Sequence, residues 1–328
     1  MYGLLIGGIG GLIISAILGI LLIPVLRQLK FGQEIREEGP KWHAKKSGTP
    51  TMGGLIFIGS IIITIALCYT ISVLTGVDMP CDSTMFLLIG VSVLYGVIGF
   101  IDDYIKVILK RNLGLTAKQK FLMQLVAAIG FVCWAVYGEG ISTEVRIPFT
   151  SLAFDIGFAF IPLAVLVILA TVNSVNLTDG LDGLATCITI VVAAFFMLFA
   201  EFGSFPNQTV ALFAAILVGS LLGFLIYNKY PANVFMGDTG SLFLGGAVSG
   251  MAILLEQPLA LIIVGLVYLI ETLSVIIQVI SFKTTGKRVF KMSPIHHHFE
   301  MCGWKETKIV AVFTAVTVVL CALMYFFG

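Results

Sequence analysis

The chain has 328 residues, 59% of them hydrophobic and only 11% charged, and carries a net charge of +1. Its mean hydropathy of +1.07 and an apolar share far above the roughly 45–50% of soluble domains exclude a water-soluble globular protein. The near-neutral balance gives no basic footprint for a nucleic-acid partner, so the expected surroundings are a lipid bilayer.

Crossing a ~30 Å hydrocarbon core as helix takes about 20 apolar residues. Ten runs meet that need, at residues 3–26, 52–74, 84–101, 120–137, 157–173, 183–200, 209–227, 239–255, 259–281 and 308–327. The expected fold class is therefore all-α: one polytopic membrane domain over residues 1–328 with about ten transmembrane helices. The first run lacks a basic n-region and a small-residue cleavage site and reads as a retained helix. No internal repeat or low-complexity tract breaks the series.

Counting the loops between these runs, every basic residue of the 19 except Arg146 falls in an odd-numbered loop. By the positive-inside rule those loops are cytoplasmic and both termini face outward. All four histidines, together with Asp102, Asp103, Asp179, Asp182 and Asp238, fall on the same side. Chemistry, if present, is expected there. The six cysteines show no CxxC pair and read as small buried hydrophobes, with neither a disulfide scheme nor a zinc site.

Five polar clusters follow along that face. The first loop reads KWHAKKSGTPTMGG over 41–54, a tight turn into the second span with Lys45 and Lys46 near the membrane surface; alone it reads equally as a juxtamembrane basic segment. The third loop opens with FIDDYIK, where Lys106 follows Asp102 by one helical turn. Adjacent carboxylates repel, so holding Asp102 and Asp103 ionised calls for nearby cations, although a solvated helix end would look the same.

The stretch NSVNLTDGLDGL, 173–184, sets Asn173, Asn176, Asp179 and Asp182 three residues apart, a slowly drifting stripe if the fifth helix continues. Such donors and acceptors suit a sugar, a base or a hydrated metal, or form a plain polar helix end. In NKYPANVFMGDTGS, 228–241, Asp238 heads an apolar run as an N-cap or as an oxygen ligand suited to magnesium. The ninth loop carries KRVFKMSPIHHHFEMCGW, 287–304. Adjacent histidines cannot all reach one ion, so phosphate contacts are favoured there over zinc. Glu271 stands alone within the ninth span, with Gln278 on nearly the same face as a hydrogen-bond partner or with a part in a substrate groove.

Groups converging at one membrane surface, with mid-bilayer almost empty, suit an enzyme joining a soluble phosphate-bearing substrate to a lipid better than an ion-coupled transporter. The motifs GTPTMGG, FIDDYIK, NLTDGLDGL, NVFMGDTGSL and SPIHHHFE followed by GW, in order and spaced by the expected spans, cover almost the whole chain. On them it resembles the polyprenyl-phosphate N-acetylhexosamine-1-phosphate transferases. DDxxK and NxxNxxDxxD are shared with relatives using other UDP-sugars, whereas GTPTMGG and HHHFE are more specific to the branch serving bacterial peptidoglycan synthesis.

That resemblance implies transfer of phospho-MurNAc-pentapeptide from UDP-MurNAc-pentapeptide to undecaprenyl phosphate, with Mg²⁺ as cofactor. It also implies release of UMP, a homodimer, and a site on the cytoplasmic side of the plasma membrane. It further implies Asp238 as the first metal ligand, with Asp102 and Asp103 assisting or orienting the lipid phosphate, and Lys46, Lys106 and Lys118 neutralising the pyrophosphate. Thr51, Asn173, Asn176, Asp179, Asp182 and Asn228 would bind substrate, Phe235 would stack on uracil, and His296, His297 and His298 would contact phosphates or shape the pocket, His297 among the reacting groups. A transferase for another UDP-HexNAc and a ten-span transporter are the competing expectations.

Overall fold

The computed structural model describes residues 2–28, 48–77, 79–107, 114–203 and 206–328. In chain order its elements begin with α1 (Tyr2–Gln28), α2 (Gly54–Thr75), α3 (Ser83–Val107) and α4 (Ala117–Tyr137), then a hairpin of β1 (Glu144–Arg146) and β2 (Ala153–Asp155). There follow α5 (Phe160–Thr178), α6 (Leu184–Phe202), α7 (Gln208–Asn228) and α8 (Gly237–Leu254). The chain closes with α9 (Ala260–Val264), α10 (Leu266–Thr285), α11 (Ile295–Met301) and α12 (Glu306–Phe327).

The protein is an all-α polytopic membrane protein. Nine of its described helices are long and apolar enough to cross a bilayer. The remaining expected span, 239–255, corresponds to α8, an 18-residue helix opening Gly-Asp-Thr-Gly, in which every residue from Thr239 to Leu254 is buried by protein. It is a core helix, walled by α3, α5 and α2.

Three boundaries differ from the sequence expectation. The ninth span does not run unbroken over 259–281: Gly265 separates α9 from α10, and α10 continues to Thr285. Helices α3 and α5 outrun their apolar segments, to Val107 and Thr178, because their polar last turns find side-chain partners on other helices. The strands of β1 and β2, three residues each with Val145 opposite Phe154, are too short to show alternation in sequence.

Small residues bring helices together where lipid offers no hydrophobic drive for association. One such contact lies at Gly99 on α3, where a Cβ would run into the backbone carbonyl of Asp238. The end of α3 and the start of α8 are therefore held with backbones in contact, directly beneath the polar cluster.

Candidate active site

The polar cluster is built at one end of the bundle, where α3 and α5 finish and α4 and α8 begin. Asp238, in the first turn of α8, is its hub. Its Oδ2 accepts hydrogen bonds from Lys106 Nζ at 2.9 Å and Lys120 Nζ at 2.8 Å, while Oδ1 accepts from Asn176 Nδ2 at 2.9 Å. Lys106 also pairs with Asp102 Oδ2 at 2.5 Å, and Lys120 approaches the same oxygen at 3.8 Å. The other Asp102 oxygen accepts from the backbone N–H of Leu115 at 2.6 Å. Two carboxylates from separate helices thus share two ammonium groups.

Asp103, next in sequence, does something else. Its Oδ1 accepts from the Asp238 backbone N–H at 3.2 Å, and its Oδ2 accepts from the Thr239 N–H at 2.9 Å and the Thr239 hydroxyl at 2.6 Å. It is an N-terminal clamp on α8 supplied by α3. Thr51 is buried and borders the same spot, both it and Asp103 lying against Gly237.

The GTPTMGG turn is fixed to the α7–α8 connection through its backbone. Phe235 N–H donates to the Pro50 carbonyl at 2.8 Å, and the Gly53 and Gly54 N–H groups donate to the carbonyls of Phe235 and Met236 at 2.8 and 3.0 Å. Asn228 pins that connection from inside, accepting from Thr186 Oγ1 at 2.7 Å and donating to the Val234 carbonyl at 3.0 Å. Asp182 ties it to the start of α6: its Oδ2 accepts from Ala232 N–H at 2.9 Å. Phe235 is half-buried in the same connection.

Of the four-residue stripe, Asn176 reaches Asp238 and also donates to Ser241 Oγ at 2.8 Å. Asn173 lies deeper and donates to Gln124 Oε1 at 2.9 Å and the Leu169 carbonyl at 2.8 Å. Asp179 is half-buried at the end of α5. Burial, then the charges of Asp238, Asp103 and Asp182, push its carboxyl from 3.8 up to about 8.

The histidines lie on the short helix α11, not in an irregular loop. His296 is fully buried with Nδ1 3.0 Å from Glu271 Oε2. His297 Nδ1 is 2.6 Å from Glu300 Oε2, and His298 Nδ1 accepts from Lys291 N–H at 3.1 Å. Gln278 is not the partner of Glu271: it bonds the backbone of Val289 and Phe290.

Lys46 lies outside the described residues. Lys118 is exposed on the first turn of α4, and the lysine that enters the cluster is Lys120. The sequence expectation misses Lys120, although its pattern carries a signal. The buried face of α4 runs through Gln124, Ala127, Ala128 and Phe131, and one helical turn before Gln124 is position 120. A capping box, Thr116 with Gln119, starts the helix at that phase.

Among the described residues no three His, Cys, Asp or Glu side chains converge on one point that would hold a metal. The carboxylates that do converge, Asp102 and Asp238, meet on an ammonium group. A hard divalent cation such as Mg²⁺ commonly takes one or two carboxylates and completes its shell with water and substrate phosphates. That pair fits such a role.

Residues 85–256 match glycosyl transferase family 4, and residues 46–58 match signature 1 of phospho-N-acetylmuramoyl-pentapeptide-transferase. The chain is 52% identical over 315 residues to the phospho-N-acetylmuramoyl-pentapeptide-transferase of Bacillus subtilis (strain 168), covering 95% of this chain and 94% of the relative. It is 50% identical over 314 residues to the enzyme of the same name from Clostridium botulinum (strain Eklund 17B / Type B), covering 95% and 93%. Against that of Bacillus cytotoxicus, identity is 50% over 326 residues, covering 99% and 98%.

Proposed function

Because the chain belongs to glycosyl transferase family 4 and, within it, to the phospho-N-acetylmuramoyl-pentapeptide transferases, we propose that a lipid phosphate meets a nucleotide-sugar pyrophosphate at its Asp102–Lys106–Lys120–Asp238 cluster. The enzyme transfers phospho-MurNAc-pentapeptide from UDP-MurNAc-pentapeptide to undecaprenyl phosphate, giving lipid I and UMP. The observation that carries the assignment of the site is the sharing of Lys106 Nζ between Asp102 at 2.5 Å and Asp238 at 2.9 Å, with Lys120 beside them.

Phosphoryl transfer asks chiefly for positioning and charge neutralisation. A lipid-phosphate oxygen attacks the β-phosphorus, the bond to the UMP oxygen breaks, and UMP leaves with the electron pair. The second pKa of a phosphate monoester is about 6, so the nucleophile is largely dianionic at neutral pH and needs no covalent enzyme intermediate. Asp102 stands ready to take a residual proton.

Lys106 and Lys120 are only partly buried, with side chains 34% and 18% exposed. They would exchange their carboxylate contacts for phosphate oxygens as substrate enters. Mg²⁺, held by Asp238 and Asp102, would supply further neutralisation of the pyrophosphate. Asp103 keeps Asp238 in place, and Asn176 orients it from α5. The charge bias of the loops supports a cytoplasmic site in a bacterial plasma membrane.

Purified protein given undecaprenyl phosphate, Mg²⁺ and UDP-MurNAc-pentapeptide should release UMP and form a lipid pyrophosphate in equal amounts. Absence of UMP with that donor, or equal turnover of UDP-GlcNAc, overturns the assignment.

A further inference from the structure

Glu271 sits within the membrane-spanning helix α10 and is 0% exposed. A carboxylate at such a place is costly unless partnered, and is retained where it serves function. Its partner comes from outside its own helix. His296 of α11, equally buried, holds its Nδ1 3.0 Å from Glu271 Oε2. A carboxylate only accepts, so the ring donates from Nδ1, which fixes the ring's orientation and leaves Nε2 on the opposite edge.

That opposite edge faces the turn between α5 and α6. A Cβ on Gly180 would collide with His296 Nε2, so only a glycine there lets the imidazole pack directly on the Asp179-Gly180-Leu181-Asp182 backbone. The next residue on α10 reaches the same helix end: Thr272 Oγ1 donates to Ser174 Oγ of α5 at 2.7 Å. Neighbouring residues of one spanning helix therefore brace α5 and, through a single histidine, both α11 and the turn carrying two carboxylates of the candidate site. Neither Glu271 nor His296 reaches the Asp102–Lys106–Asp238 cluster through any described bond. Among the described residues, Glu271 Oε1 and His296 Nε2 are buried without a hydrogen-bond partner. Packing alone does not account for these two atoms.

We propose that Glu271 is a positioning residue for the transfer reaction: acting through His296, it locks the histidine-bearing helix against the Asp179–Asp182 turn and so sets the pocket that receives the nucleotide-sugar. The proposal rests on the function assigned above. Its signature is selectivity between substrates. Loosening the turn weakens capture of UDP-MurNAc-pentapeptide, whereas undecaprenyl phosphate, which answers to the lysine cluster, is captured as before.

The test measures UMP release in purified parent, Glu271→Ala, Glu271→Gln, His296→Ala and the Glu271→Ala/His296→Ala double variant, varying each substrate at saturating levels of the other. In Glu271→Ala the KM for UDP-MurNAc-pentapeptide should rise about tenfold while that for undecaprenyl phosphate stays within about twofold. Glu271→Gln keeps an oxygen that accepts from His296 Nδ1 and should recover most of the loss. In the His296→Ala background the Glu271 change should add nothing, since both act through one contact.

Equal effects on both KM values, no effect on either, a glutamine no better than alanine, or additive losses in the double variant would each overturn the proposal. Should Glu271→Ala fail to fold, Glu271→Gln carries the test: a rise of about threefold in the nucleotide-sugar KM in the parent, absent in the His296→Ala background, supports it, and an equal rise in both overturns it. A parent that releases no UMP fails the functional assignment instead, so the two failures are distinct.

Discussion

Asp103 holds the backbone of Asp238: one carboxylate oxygen accepts from the Asp238 N–H at 3.2 Å, and the other accepts from the Thr239 N–H at 2.9 Å. The acidic side chain at the heart of the cluster is thus placed by another acidic side chain, which binds its main chain and not its charge. Asp102, one residue earlier and turned by about 100° around α3, faces Lys106 and the site. Adjacent carboxylates of the same type do separate work because helix geometry points them at different neighbours.

Removing the clamp should cost both stability and rate. Asp103→Ala deletes acceptors for three donors at the start of α8 and should lower stability by about 1–2 kcal/mol, as loss of a helix N-cap does. Its kcat should fall further than that loss explains, because Asp238 is no longer fixed. Asp103→Asn, which still presents one oxygen, should lie between. Differential scanning fluorimetry with UMP release checks this, and a parental melting temperature for Asp103→Ala would show that the clamp is dispensable.

The two lysines at the start of α4 should separate cleanly. Lys120 touches Asp238 at 2.8 Å, whereas Lys118 is exposed. Lys120→Ala should reduce kcat about 10²-fold or more, the scale on which removal of one charge-stabilising donor acts, while Lys118→Ala should remain within about twofold. The reverse ranking would mean that the turn rearranges when substrate binds.

Much of this arrangement is legible in the sequence, and the limits are physical. Spans show because a bilayer demands long apolar runs, and the gathering of polar motifs at one end shows because basic residues mark alternate loops. Helix ends are harder: α3 and α5 run past their grease to carry Asp102, Lys106 and Asn176, since their partners lie on other helices and no local pattern names them. Asp102 and Asp103 are indistinguishable as letters, and only the crossing at Gly99 gives the second one α8 to hold. Lys120 is readable from the phase of α4. The partner of Glu271 is not, because His296 is 25 residues away on a separate helix.

Asp238→Asn keeps the shape of the hub but removes its charge. Turnover should drop about 10²–10³-fold, with Lys106 and Lys120 losing their shared counter-charge and the protein still eluting as a single folded species. The residual rate should no longer respond to Mg²⁺, whereas the parent should be silenced by EDTA and restored by excess Mg²⁺. Full Mg²⁺ dependence in the variant would remove Asp238 from the metal site.

Gly99 tests whether the crossing of α3 and α8 sets the cluster. A methyl there meets the Asp238 carbonyl, which is backbone and cannot swing aside. Overpacking of this kind typically costs about 1–3 kcal/mol, and here it would also pull Asp103 away from the start of α8. Gly99→Ala should therefore lose stability and turnover together. Gly90, on the same helix, has no described residue within 4 Å of where a methyl would stand and should accept alanine without loss of either.

Asp179 makes a pH-dependent prediction. Its carboxyl is raised to about 8 in the folded protein from an ordinary 3.8, first by burial and then by Asp238, Asp103 and Asp182. The folded state therefore holds that proton more tightly than the unfolded chain. The resulting stabilisation is fully present below 3.8 and is lost as pH rises through about 8. The amide introduced by Asp179→Asn carries no such charge at any pH, so in EDTA that variant should gain on the parent from about pH 5 to about pH 8 and level off by about pH 9. Melting curves across that range decide the matter: a difference between the two proteins that stays constant with pH would mean that Asp179 is ionised throughout, with its charge met by a partner in solution.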